Sequence, residues 1–252
     1  MAAETVMQPA ATADTAAAPR AEDRIVIARK LVKTYDSGEV EVHALRGLNL
    51  DVRRGEMVAV MGPSGCGKTT LLNCLSGIDD FTSGEVWIAA QRLSTLSDNA
   101  KTDFRAMKMG FIFQNYNLLP VLRCVENVEL PLLVRGDPPR TARRRAGEAL
   151  AAVGLDKDAL KKPAELSGGQ QQRVAIARAL VNEPDIVFAD EPTGNLDSET
   201  SREVVDLMKR LHREKGLTFI IVTHDAAVGN QTQRVVVMRN GLILKSFRPT
   251  PT

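Results

Sequence analysis

Apolar residues recur along this chain in two rhythms. Arg24 to Lys30 (RIVIARK) alternates apolar and polar side chains, the period-two pattern of a strand with one face in a core. Ala44 to Val52 (ALRGLNLDV) repeats it, and Arg53-Arg54-Gly55 reads as the turn that ends it. Glu56 to Met61 (EMVAVM) is a short apolar run leading into a Gly-rich segment. Asp185 to Ala189 (DIVFA) and Thr218 to Val222 (TFIIV) are unbroken apolar runs, which predicts central strands buried on both faces. Between these two, Ser198 to about Lys215 carries Val204, Val205, Met208 and Leu211 at helical spacing. Strands separated by helices imply a mostly parallel sheet with crossover helices. Arg123 to Val153 is helical in pattern and lies between two sheet-forming halves, so it predicts an inserted helical subdomain, broken into two helices at Gly136 to Pro139. Arg234 to Lys245 reads as a closing hairpin around Asn240-Gly241. No internal repeat is visible.

The first 22 residues differ from the rest. They are rich in Ala, Thr and Pro and show no hydrophobic period, which predicts a disordered tail. Glu4, Gln8, Pro9, Asp14 and Pro19 interrupt any apolar stretch that a secretory signal requires. The chain as a whole has ordinary globular composition: 44% of the 252 residues are hydrophobic and 25% charged, enough to bury a core. Lys plus Arg number 33 against 31 acids, and a net charge of +2 gives no electrostatic case for a nucleic-acid partner. The longest apolar runs are far shorter than the roughly 20 residues of a membrane helix. Cys66, Cys74 and Cys124 have no paired metal-ligand spacing, so neither a zinc site nor a disulfide framework is indicated, and a reducing compartment is expected.

The sharpest chemical signal is Gly62-Pro63-Ser64-Gly65-Cys66-Gly67-Lys68-Thr69, which fits G-x-x-x-x-G-K-[ST] between a predicted strand and a predicted helix, Lys68 to Leu75. Glycines let backbone N–H groups surround phosphate oxygens, and the helix N-terminus favours an anion. Lys68 would reach the β- and γ-phosphates and the Thr69 hydroxyl would ligate Mg²⁺, with Thr70 next along the helix. A second segment, Ile186 to Glu191, is an apolar strand ending in two carboxylates. Asp190 is suited to hold Mg²⁺, and Glu191 to polarise an attacking water. The third, Leu166-Ser167-Gly168-Gly169-Gln170, opens a helix that Ser167 caps and that has Val174, Ala177 and Val181 on one side. Alone, the last two segments also read as a strand-to-loop transition and a Gly-containing cap.

Together and in this order, the phosphate loop, LSGGQ and VFADEP resemble the ATP-binding subunit of an ABC transporter, over roughly Asp23 to Ser246. The resemblance implies an α/β fold of the P-loop NTPase, RecA-like class. It has a mostly parallel core, an antiparallel β subdomain and a helical subdomain inserted at about 115–165, within a domain spanning 23–248. It also implies further roles. Tyr35 would stack on adenine, and Gln114 would sense Mg²⁺ and the membrane partner. Asp197 would lie at a dimer interface, unless it caps the helix that begins at Ser198, or does both. His224 would meet the γ-phosphate. The implied catalytic set is Glu191, His224 and Gln114, and the metal set Thr69, Gln114 and Asp190. Nucleotide contacts come from Tyr35, Gly62 to Thr70, Ser167 to Gln170 and Asp197. The Ser167 helix end would act on the nucleotide of a second copy.

Phe113 to Pro120, Glu126 to Leu132, Leu72 to Asp79 with Thr82 to Glu85, and Glu191 to Asp197 are similar to the macrolide-exporter and lipoprotein-release branch, from which Arg123-Cys124 departs. The expected function is ATP hydrolysis, with Mg²⁺, that powers a separately encoded permease at the cytoplasmic face of the membrane. Val128, Leu130, Leu132 and Leu133 are candidates both for core and for the face toward that partner. A regulator of cell-division or cell-wall machinery is the alternative. A repair or translation ATPase is disfavoured by the absence of a coiled-coil insertion or tandem ATPase halves. Cys66 reads as small-residue packing, with oxidation sensitivity as the other reading. Arg140, Arg143, Arg144 and Arg145 read as a solvated helix face, with a lipid-headgroup role as the lesser possibility.

Overall fold

A computed structural model describes residues 23–249 except 37 and 39, and the alanine-rich tail lies outside the described residues. Two sheets share the chain. In the first, β1 (Arg24–Asp36) pairs antiparallel with β2 (Glu41–Arg53) and β4 (Ser83–Ile88), and the two-residue β5 (Gln91–Arg92) completes the order β2-β1-β4-β5. In the second, β3 (Met57–Met61), β6 (Met109–Phe113), β7 (Ile186–Asp190), β8 (Thr218–Thr223), β9 (Arg234–Arg239) and β10 (Leu242–Phe247) run in the order β10-β9-β3-β8-β7-β6. All neighbours in this sheet are parallel except the β9–β10 hairpin. The mostly parallel core and the separate antiparallel sheet match the expected class.

The unbroken apolar runs are explained by burial on both faces. Val187, Ala189, Phe219 and Ile221 enter one core, shared with the helices α3 (Cys124–Val134), α4 (Pro139–Ala152), α5 (Gly168–Leu180) and α6 (Ser198–Lys215). Ile186, Phe188, Ile220 and Val222 point to the opposite face and join Ile25, Leu31, Leu45 and α1 (Lys68–Ser76) in a second core between the sheets. The predicted break falls between α3 and α4, at 135–138. Helix α5 departs from the one-sided reading: Val174, Ala175, Ile176, Ala177, Ala179 and Leu180 are all buried, because α3, α4, α6 and β6 pack around it, and Val181 lies at its end.

Several elements exceed the sequence reading. β1 continues past Lys30 through register shifts between Ala28 and Leu31 and again between Leu31 and Val32, and Lys30 itself adopts φ 47°. Such bulges break the alternation that marks a strand. Helix α2 (Asp98–Lys108) has no fully buried residue; only a weak apolar stripe, with Phe104 half-buried against the core between the sheets, marks its inner face, and the Ser97 hydroxyl caps it by accepting from Ala100 N–H.

Asp185, at the entrance to β7, joins three segments. Its carboxylate meets Arg54 Nη1 and Lys108 Nζ, each at 3.0 Å, and its N–H donates to Lys108 O. Burial alone would raise its pKa, but Lys108 and then Arg54 outweigh it and hold it below the ordinary 3.8. Folding therefore favours the ionised form, which contributes stability above pH 3.8 that is lost as pH falls through the lower folded value. Asp185→Asn is expected to cost about 0.5–1 kcal/mol near neutrality, given partly exposed partners. It should also flatten the acid limb of the unfolding midpoint against pH, which thermal denaturation measures.

Candidate active site

The phosphate loop leaves β3 at the centre of the parallel sheet and enters α1. Gly67 occupies the helix N-cap at φ 98°, and a Cβ there would lie 2.5 Å from Ala44 O, so both conformation and space require glycine. The Asn240-Gly241 turn braces the loop from the other side. Gly241 N–H donates to Cys66 O at 3.1 Å, and Arg46 N–H donates to Gly241 O at 3.0 Å. The opening N–H groups of α1 have no partner within the helix and suit an anion. Lys68 is 8% exposed, and its ammonium donates to Gly62 O and Pro63 O at 2.9 and 3.1 Å. Cys66 and Cys74 are buried in the inter-sheet core and Cys124 in the core under the helices; burial pushes the Cys74 thiol up to about 12. These environments favour packing over reactivity.

The acidic pair ends β7 beside this loop. Thr69 Oγ1 donates to the Asp190 carboxylate at 3.1 and 3.2 Å. Burial raises the Asp190 pKa, Thr69 opposes that shift, and the Glu191 charge adds to it. Glu191 takes φ 45°, its N–H donating to Val222 O and its carbonyl accepting from Gly194 N–H. Its Oε1 lies 2.9 Å from His224 Nδ1 at the end of β8. The carboxylate is 15% exposed and the imidazole 69%, so the acid is shielded while the ring reaches solvent.

Gln114 follows β6. Its Nε2 donates to Asn195 Oδ1 at 3.2 Å, and Asn195 Nδ2 returns bonds to Gln114 O and Asn115 Oδ1. Asn195 thus ties the loop after β6 to the loop before α6, a role that its place inside Gly194 to Asp197 hinted at without specifying. A cleft of about 940 Å³ brings together Tyr35, Ser64, Gly65, Gly67, Lys68, Thr69, Thr70, Gln114, Glu191 and His224. Gly62, Pro63 and Cys66 back the loop, and Asp190 joins through Thr69. His43, Arg46 and the Asn240-Gly241 turn also line the cleft, although no motif marks them. A larger cavity, about 1170 Å³, lies at the opposite end of the sheet among Arg53, Arg54, Lys209 and Arg248 and contains no predicted site residue.

Ser167 to Gln170 and Asp197 lie outside the cleft. Ser167 Oγ accepts from Gln170 N–H, while Gln170 Oε1 accepts from Ser167 N–H at 2.9 Å, a reciprocal cap. A Cβ on Gly168 would stand 2.9 Å from the Tyr116 hydroxyl. Further along α5, Arg178 donates to Tyr116 O and Asn117 O at 2.7 and 2.5 Å, and burial lowers its pKa. Asp197 caps α6, accepting from Glu199 and Thr200 N–H and from the Thr200 hydroxyl, which chiefly holds its pKa down. Of the arginine cluster, Arg143 pairs with Glu129, Arg144 with Glu148 and Arg145 with Asp137, so these charges are engaged within the helical subdomain.

The ABC transporter family model matches residues 45–194. A lipoprotein-releasing system ATP-binding protein LolD of Alcanivorax borkumensis is 45% identical over 219 residues, covering 87% of this chain and 96% of that protein. A macrolide export ATP-binding/permease protein MacB of Syntrophobacter fumaroxidans is 49% identical over 213 residues, 84% of this chain but only 30% of that longer protein. Among solved structures, a dimeric ATP-binding cassette in a post-hydrolysis state with ADP and Pi is 42% identical, with a TM-score of 0.82, covering 89% of this chain and 99% of that one. No helix among the described residues is long and apolar enough to cross a membrane. The chain belongs to the ABC transporter family, as an ATP-binding and ATP-hydrolysing cassette of the branch that includes macrolide export and lipoprotein release.

Proposed function

We propose that this chain binds ATP with Mg²⁺ in the 940 Å³ cleft, that two copies close over two nucleotides, and that hydrolysis drives a separately encoded membrane permease for export or lipoprotein extrusion. The chain then works at the cytoplasmic face of the membrane, held there through the permease. The reading rests on one observation: Lys68, Thr69, Gln114, Glu191 and His224 converge on one cleft from four separate segments. Thr69, Gln114 and Asp190 form an all-oxygen donor set suited to a hard divalent cation, and such a cation would offset the burial that raises Asp190. When bound, Mg²⁺ supplies charge compensation to the phosphates.

The chain's own groups divide the remaining work. Lys68 and the N–H groups of the phosphate loop hold the β- and γ-phosphates. Glu191 Oε1 or Oε2 accepts a proton from the attacking water, while its bond to His224 Nδ1 fixes the carboxylate. The exposed His224 ring is available to the γ-phosphate. The Ser167 helix end has no lysine beside it and serves the nucleotide of the second copy, with Asp197 at the interface. For the permease, a groove of about 420 Å³ beside β6 is lined by Phe111, Phe113, Leu130, Pro131 and Val134. Val128 and Leu132 are fully buried and belong to the core, whereas Leu133 and Val134 are exposed and offer apolar surface to a partner.

Lys68→Ala is expected to weaken ATP binding and remove hydrolysis; wild-type phosphate release from that variant would reject the assignment. Glu191→Gln keeps size and hydrogen bonding but cannot take the proton. Its turnover should fall about 10²- to 10⁴-fold while affinity survives. It should also accumulate as a dimer with Mg-ATP in size-exclusion chromatography, whereas a monomeric ATP complex would remove Glu191 from the role. The Val134→Cys variant should crosslink to the co-expressed permease; crosslinks that never capture a membrane protein would argue against the groove.

A further inference from the structure

Tyr35 ends β1 with 42% of its surface exposed, too open to be fixed by packing. Charged groups hold it instead. Its hydroxyl donates to Asp79 Oδ2 at 2.7 Å. Lys33, two residues earlier across a register shift in the strand, places Nζ 4.6 Å from the ring centroid. The same ammonium donates to Asp79 Oδ1 at 2.7 Å and to Asp80 O at 2.6 Å. Burial would raise the Asp79 carboxyl, but donation from Lys33 and Tyr35 outweighs it and keeps the group below its ordinary value. Asp79 is in turn tied to α1, because Ile78 and Asp79 N–H both donate to Asn73 O. Asp80 pairs with Lys101 of α2 at 2.8 Å, closing the support from a second helix.

Two consequences follow from this arrangement. Tyr35 lines the nucleotide cleft and Lys33 does not, so a ligand there would meet the ring and not the cation that supports it. Asp79, which accepts from the hydroxyl, sits just beyond the C-terminal end of α1, and Thr70, near the N-terminal end beside the phosphate loop, also bonds that hydroxyl. One rigid helix of nine residues therefore sets the spacing between ring and loop.

We propose that Asp79 and Lys33 are positioning residues for the nucleotide base, fixing the plane and distance of the Tyr35 ring relative to the phosphate loop before ATP arrives. The inference rests on the reading of Tyr35 as the base-stacking residue. A ring already ordered loses less freedom on stacking, which is worth roughly 3- to 10-fold in affinity. The phosphates gain nothing from it, so the effect belongs to ATP and not to a ligand without a base.

The test measures ATP KM and kcat, together with the competition constant of inorganic tripolyphosphate, on the full chain. Asp79→Ala should raise the ATP KM about 3- to 10-fold, with kcat within about twofold and tripolyphosphate unchanged. Added to Tyr35→Phe, which lacks the hydroxyl, Asp79→Ala should cost less than about twofold more. Lys33→Met keeps the aliphatic stem and should reproduce the ATP-selective loss if Asp79→Ala does not fold. An unchanged ATP KM in Asp79→Ala and Lys33→Met, alongside a raised one in Tyr35→Ala, would overturn the proposal while leaving base stacking intact. Equal weakening of ATP and tripolyphosphate would also overturn it, by assigning the network to the fold. An unchanged KM in Tyr35→Ala would instead remove the stacking reading, and the proposal with it.

Discussion

The rest of the site depends on how the phosphate loop is held. A loop that offers most of its N–H groups to a ligand keeps few to hold itself, here Cys66 N–H on Pro63 O, so its support comes mainly from carbonyls and close backbone contacts. Here Gly67 presses on Ala44 of β2, and the Cys66 carbonyl accepts from Gly241 in the β9–β10 turn. Those contacts bring the antiparallel sheet, the parallel sheet and the C-terminal hairpin to one place. The buried core between the sheets, with Leu45, Leu71, Leu75 and Phe188, keeps that meeting point rigid. The position of Lys68 and Thr69 therefore follows from packing well outside the motif.

Much of this architecture was legible because burial leaves a simple trace. β7 and β8 lie between two cores and read as unbroken apolar runs, and α6 buries one stripe and reads as a helix. Elements whose burial is mixed were not legible. Helix α2 half-buries little apolar surface beyond Phe104, and β1 loses its alternation at the bulge near Lys30. In the site, contiguous motifs were readable because their chemistry is local: a loop followed by Lys68 and Thr69, or a strand ending in Asp190 and Glu191. Asn195 and Arg178 were not. Asn195 acts on Gln114, 81 residues away, and Arg178 acts on the carbonyls of Tyr116 and Asn117, which no local pattern predicts.

Glu191 illustrates the cost of a precise site. It adopts a left-handed backbone that non-glycine residues rarely take, and the neighbouring bonds to Val222 O and Gly194 N–H hold it there. The same turn aims its carboxylate at His224, so two groups from adjacent strands arrive as a pair. Their shared bond couples the orientation of a shielded acid to that of an exposed ring. A ligand that draws the imidazole away changes what the carboxylate can hold.

The bonds from Arg178 bear on how motion crosses the molecule. Tyr116 and Asn117 are consecutive left-handed residues, and one half-buried guanidinium grips both of their carbonyls. Arg178 is built into the helix that begins at Gly168, and Asn195 anchors the same loop from the other end. A push on the surface beside β6 thus meets a bolted joint rather than a spring. The loop after β6 and the helix that Ser167 caps are therefore one hydrogen-bonded unit, whose parts are not free to shift separately without breaking those bonds.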